Sequence, residues 1–349
     1  MTRADSDIPR PEHPRPDFER DEWLNLNGPW RFEVDDAGDG EARGLITGHD
    51  LRETILVPFC PESKLSGLSR TDFMEHVWYR RTFDVPGSKS GKRLLLHFGA
   101  VDWHARAWLN GAFLGEHRGG YSPFTFDITR AAHVGENELV LHVIDRTTSG
   151  LQAVGKQCPK LKSEGCRYTR TTGIWQTVWL EAVGETYLRS LALYPDLDTG
   201  RVFFDACIEG PTAGIEVRLS AYLEDELIGE EAVAAAWRST RGVVELSEIT
   251  PWQPGKPFLY NLLIEIEKHG EAVDTVHSYF GLRKLAIQGS RFLINDQPVF
   301  QRLVLDQGFY PDGIYTAPSD ADLKRDIELS MAAGFNGARL HQKVFEPRF

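Results

Sequence analysis

Hydrophobic residues fall into three regimes along the chain. Between Trp30 and Ala182 they come in short runs rich in aromatic and β-branched side chains, bounded by turn residues. The runs are Trp30–Val34, Thr54–Val57, Trp78–Val85, Arg93–Phe98, Trp103–Leu109, Phe124–Asp127, Glu138–Ile144 and Trp175–Ala182. Each reads as a strand. Asn110-Gly111 signals a hairpin, because a type I′ turn needs positive φ at both central positions. From Gly184 to Ala286 strict alternation appears, most plainly in IEVRLSAYLED. There Ile215, Val217, Leu219, Ala221 and Leu223 share one face, and Glu216, Arg218, Ser220 and Tyr222 the other. Further strands are expected at Val202–Ile208, Ala232–Trp237, Gly242–Glu248, Tyr260–Lys268 and Val273–Leu282. Past Gln288 the period changes. Val299–Leu305 has strand length, Ser319–Ala333 has helical spacing, and Phe335–His341 returns to strand. Ser319 is placed to cap the helix, Asp322 to sit in its first turn and Gly334 to end it. Leu323, Ile327 and Met331 make its apolar stripe.

These patterns predict a mainly β fold. A jelly-roll sandwich is expected over residues 21–184 and an immunoglobulin-like sandwich over 185–286. Residues 287–349 would begin a (β/α)8 barrel with one βαβ unit. Pro9, Pro11, Pro14 and Pro16 mark residues 1–20 as a disordered arm. From Leu293 on there are 57 residues, where a complete barrel takes roughly 250. The barrel is therefore expected to be incomplete. Val299, Leu303, Leu305, Ile327, Met331 and Phe335 would lack burying neighbours, leaving that segment poorly ordered or adhesive.

Charge narrows the function classes. A net charge of -12 argues against a nucleic-acid or anionic-membrane partner. Lys156, Lys160, Lys162, Arg167 and Arg170 form a loose basic cluster that reads as a solvated loop. No apolar stretch approaches the ~20 residues of a membrane span, and the polar start of the chain lacks a signal-peptide core. A cytoplasmic location is the expectation. Cys60, Cys158, Cys166 and Cys207 match no zinc spacing and read as reduced thiols. A meeting of Cys158 and Cys166, joined by His133 or His142, is left open.

The ordered segments LNGPWRFEVD, ILVPFCPESKLSGL, VWYRRTF, HFGAVDWHARAWLNGAFLGEHRGGYSPFTFDIT and TGIWQTVWLE span Leu26 to Glu181. PWQPGKPFLYNL, YFGLRKL, LINDQPVFQRLVLDQ and GFNGARLHQK follow. The set resembles the N-terminal portion of glycoside hydrolase family 2, whose members include β-galactosidases, β-glucuronidases and β-mannosidases. The resemblance implies a sugar-binding jelly roll, an immunoglobulin-like sandwich and a catalytic barrel acting on a carbohydrate. It implies hydrolysis with retention by two glutamates about 5–5.5 Å apart, after the fourth and near the seventh barrel strands. No catalytic residue is expected in this chain. Asn137-Glu138 carries the right dipeptide in a sandwich turn and is set aside.

Arg339, at the end of the second barrel strand, resembles the arginine that orients the family nucleophile; a structural ion pair is the alternative. His341 and Asp306 are candidate contacts to sugar hydroxyls, weighed against core packing for His341 and an N-cap or loop anchor for Asp306. Glu346 reads as solvated. Trp103, Trp108, Trp175 and Trp179 read as core before sugar platforms. No cofactor or metal site is identifiable, although the resemblance implies Mg2+ or Na+ in some members. Oligomeric state is open, a homo-oligomer included. The expectation is the N-terminal part of a retaining β-glycosidase, inactive alone. A non-catalytic carbohydrate-binding or scaffold protein, or one subunit of a split glycosidase, is the alternative.

Overall fold

The structure, a computed structural model, describes residues 8–349. Its first part pairs two antiparallel sheets. The six-stranded sheet runs, in order, Glu53–Val57, Gly28–Val34, His76–Val85, Gly135–Ile144, His104–Leu109 and Ala112–Arg118. The four-stranded sheet runs Trp23–Asn25, Val178–Val183, Arg93–Phe98 and Phe124–Asp127. Phe32, Val77, Tyr79, Leu96, Phe98 and Leu141 meet between them in one core. The longer strands are buried on both faces, because Leu45 and Leu51 pack on the back of the sheet against Trp78, Trp108 and Val140. The hairpin turn is as its residues demand, with φ of 51° at Asn110 and 81° at Gly111.

The second part packs a three-stranded sheet, Tyr187–Asp196, Arg201–Glu209 and Ser239–Glu245, on a four-stranded one. The latter orders Glu226–Ala234, Ile215–Leu223, Tyr260–Lys268 and Glu271–Phe280. Ile215, Val217, Leu219 and Ala221 point into the core with Val202, Phe204 and Ile264. The strand Tyr187–Asp196 escapes the sequence pattern because it contains Pro195. It lies at a sheet edge, where a missing N–H is tolerated. The strand expected at Ala232–Trp237 instead begins at Glu226, behind a turn with Glu224 at φ 54°.

The third part opens with a small meander, Leu285–Gln288, Arg291–Ile294 and Gln297–Pro298. A parallel pair follows, Leu303–Asp306 and Gly337–Leu340, linked by the helix Asp320–Ala332. The Ser319 hydroxyl accepts from the Asp322 N–H at the helix start. At its end Gly334, at φ 88°, donates to the Met331 carbonyl while Phe335 donates to that of Ser330. Leu323 is buried, but Ile327, Met331, Leu303, Leu305 and Leu340 are exposed.

The arm expectation is corrected for residues 8–20; residues 1–7 lie outside the described residues. The segment is a strap joining all three parts. Arg10 bonds both oxygens of Glu346 at 3.0 and 2.8 Å and Asp320 at 3.1 Å. Asn25 and Asn27 donate to the carbonyls of Arg10 and Pro9 at 2.9 and 3.1 Å. Glu19 pairs backbone to backbone with His277. Arg20 joins Glu181 of the first sandwich, at 2.5 Å, to Asp274 of the second, at 2.9 Å. Proline removes donors but leaves carbonyls free, and here neighbouring side chains satisfy them. Glu346 is correspondingly held by Arg10 and is not a free loop carboxylate.

Candidate functional site

The three candidate residues sit at the C-terminal ends of the parallel pair. The register sets Leu305 beside Arg339 and Asp306 beside Leu340. Partners in a pleated pair share a face, so Arg339 and Asp306 point to opposite sides. The His341 N–H donates to the Asp306 carbonyl at 2.8 Å, which ties the two strand ends together. Asp306 Oδ1 accepts from the Gly308 N–H at 2.8 Å, holding the turn that follows. His341 Nδ1 is buried without a partner. Burial, with Arg339 and then Lys156 nearby, holds the imidazole below its ordinary range.

The loop after Asp306 docks on the first sandwich. Phe309 stacks on Tyr168 at 4.2 Å, and the Tyr315 hydroxyl meets that of Tyr121 at 3.0 Å. Thr316 donates to the Trp175 carbonyl at 2.6 Å. Gly155, at φ 54°, lies so close to Gln342 that an added Cβ would come within 2.2 Å of its carbonyl oxygen. One wall beside these strand ends is therefore built from the sandwich loop that carries Lys156. Arg170 organises that loop from inside: it is buried and donates to the carbonyls of Lys160, at 2.7 Å, and Thr71. The solvated-loop reading is corrected at this residue, since the carbonyls around it demand a donor.

Lys343 was not singled out by the sequence. It lies two residues past His341, buried, with its ammonium donating to the carbonyls of Gly308 and Tyr315 at 2.6 Å each. Phe345, Tyr315, Trp175 and Tyr310 surround it at 4.9 to 5.8 Å. Burial pulls its ammonium down to about 8. This one side chain spans the two ends of the loop after Asp306 and anchors them to the segment after His341. Only its position just past a strand end hinted at such a role.

Trp108, Trp175 and Trp179 are core residues, each at most 5% exposed. All four cysteines are free thiols. Asn137 is structural, its Oδ1 accepting from the His133 N–H at 3.0 Å and from Asn110 Nδ2 at 2.9 Å. Among the described residues no three His, Cys, Asp or Glu side chains converge as cation ligands.

Residues 69–181 match the family model described as the sugar binding domain of glycosyl hydrolases family 2, and residues 186–283 match a second model of that family. The chain is 28% identical over 291 residues to a β-glucuronidase from Paenibacillus borealis, covering 78% of this chain and 47% of that protein. It is 27% identical over 289 residues to a β-galactosidase from Thermoanaerobacter pseudethanolicus, covering 79% and 37%. The chain thus spans about half the length, or less, of these relatives. In fold it is similar to the β-glucuronidase from Ruminococcus gnavus solved with D-glucaro 1,5-lactone, with a TM-score of 0.78 at 20% identity, covering 92% of this chain and 56% of that one. Two family models in sequence, ahead of a parallel βαβ unit, lead to one conclusion: the chain belongs to glycosyl hydrolase family 2, with that family's sugar binding domain followed by its second domain.

Proposed function

We propose that this chain is the N-terminal part of a retaining β-glycosidase. In this reading the first sandwich is the jelly-roll sugar-binding domain and the second is immunoglobulin-like. The parallel pair with its helix is the first βαβ unit of a (β/α)8 barrel. The observation that carries the reading is the placement of Asp306, Arg339 and His341 at the C-terminal ends of parallel strands, where such barrels gather their substrate groups.

Each residue has a role its chemistry suits. Arg339 presents a fixed cation to orient and keep ionised an attacking carboxylate. The Asp306 carboxylate, one oxygen fixed by Gly308, accepts from a sugar hydroxyl through the other. His341, neutral near pH 7, exchanges a hydrogen bond with a second hydroxyl through its unpartnered ring nitrogen. Retention requires two carboxyls about 5–5.5 Å apart. Asp306 is the only carboxylate on these two strands, so the chain by itself supplies supporting groups and not the catalytic pair.

The test is a panel of aryl β-glycosides, galactosides and glucuronides among them, assayed with the isolated chain and with the chain fused to the remaining barrel of a family 2 enzyme. The fusion is expected to release the β-anomer first by proton NMR, with Arg339→Ala lowering kcat/KM by about 100-fold or more. The isolated chain is expected to release nothing. Turnover by the isolated chain, or first appearance of the α-anomer, would overturn the reading.

A further inference from the structure

A cavity of about 480 Å3 opens where the strap, the four-stranded sheet and the first strand of the second sandwich meet. It shares no residue with the strand ends that carry Asp306, Arg339 and His341. Three properties of its wall bear on what it holds.

The first is charge that is already neutralised. Arg93 is paired with Asp127 at 2.5 Å and Arg20 with Glu181 at 2.5 Å. Arg189 lies 3.8 Å from Glu209. The guanidiniums are therefore not an anion trap, since an acidic ligand would have to displace carboxylates already in place. Each pair sets a planar guanidinium, which only donates, beside a carboxylate, which only accepts, the arrangement suited to a ligand that does both.

The second is apolar surface between those edges. Phe124, Tyr187 and Phe18 line the same wall. Arg93 lies 5.5 Å from the centre of the Tyr187 ring, and Arg15 lies 4.9 Å from that of Phe18. Both cations are held in place before any ligand arrives, which lowers the ordering a ligand must impose.

The third is an orphan. His97 lies flat on the Trp179 ring at 4.8 Å, and its Nδ1 is bonded to the Thr125 hydroxyl at 2.8 Å. Its Nε2 is buried with no partner, 3.7 Å from Glu181. Burial, with Arg20 and Arg15 adding to it against Glu181, pulls the imidazole down to about 4. The ring is neutral at physiological pH and lacks one hydrogen bond. Unmet buried polar atoms are uncommon and call for a partner.

Alternating polar edges and apolar faces around a neutral orphan nitrogen match a polyhydroxylated ring, and the volume lies within the range of small-molecule sites. We propose that this cavity is a saccharide-binding site of the sugar binding domain, separate from the strand-end face, and that its occupant is a neutral mono- or disaccharide unit. The choice of a carbohydrate rests on the family reading above; the location and the preference for a neutral sugar rest on the cavity.

The test uses the whole 349-residue chain, with methyl β-D-glucopyranoside, methyl β-D-galactopyranoside, cellobiose and methyl β-D-glucuronide as probes. Binding is read by saturation-transfer NMR and calorimetry. Thr125→Trp fills the cavity from an exposed position on an edge strand, so the core is untouched. His97→Ala removes the orphan nitrogen, and melting curves confirm that both variants fold. At least one neutral probe is expected to bind, weakened by about tenfold or more in both variants and unchanged in Arg339→Ala. Three results would overturn the proposal: no neutral probe binding, binding that survives Thr125→Trp, or tighter binding of the glucuronide than of every neutral probe. Binding lost in Arg339→Ala and kept in Thr125→Trp would place the sugar at the strand ends, sinking this site while leaving the glycosidase reading intact.

Discussion

Glu62 lies fully inside the first sandwich with no cation beside it. The Thr172 N–H donates to its Oε2 at 3.2 Å, and its Oε1 has no partner. Burial pushes its carboxyl up to about 8, against the hydrogen bonds from Thr172, and the buried carboxyls of Asp102 and Asp145 are pushed up as well. Between about 4.5 and 8 the folded chain keeps a proton that the unfolded chain releases, so this group's contribution is full below that window and is lost as pH rises through it. Glu62→Gln is therefore expected to be near neutral at pH 5 and stabilising by about 2 kcal/mol or more at pH 9. Urea unfolding at the two pH values checks this; a gap that does not widen with pH contradicts it. Nothing in the PFCPESK segment marks Glu62 as buried, because its cover comes from distant strands. Lys343 was illegible for the same reason: its cage includes Trp175, far away in sequence. The strand that carries Arg339, Gly337–Leu340, was legible because its pattern is local.

Elements whose signals are local were read best. The helix was delimited by Ser319 and Gly334, and the hairpin by Asn110-Gly111, since capping and turn geometry need only neighbouring residues. The strap was misread because its order comes from elsewhere: a proline-rich segment has no period, and the partners of Arg10 are Asp320 and Glu346. Arg10→Ala leaves those two carboxylates without this cation while removing nothing from either sandwich core. It is expected to expose the segment after residue 290 to protease at least tenfold faster than in the parent, with the sandwiches still resistant. Equal cleavage rates in the two proteins would mean that the strap does not hold that segment.

At the scale of the molecule, the three-part division followed from the change of hydrophobic period, from short runs to alternation to helical spacing. How the parts dock did not, because Thr316, Tyr121 and Gly155 carry no pattern that announces an interface. The expected lack of cover on the third part is visible as exposure: Met331 is 62% exposed and Leu305 50%. An apolar face of this kind favours association. Sedimentation velocity near 100 μM, an upper working range, is expected to show concentration-dependent oligomers that Met331→Glu with Leu305→Lys reduces. A chain that stays monomeric throughout would contradict this. The strap also bears on how the chain reaches its final shape. Arg10 and Glu346 are 336 positions apart, so during synthesis the early half of the clasp waits while both sandwiches are made and folded. Closure at so large a sequence separation is slow and comes late. Until then Glu12, 2.5 Å away and only two positions on, is the one partner Arg10 can find locally, and the clasp closes only when Glu346 is brought back to one of the first residues made.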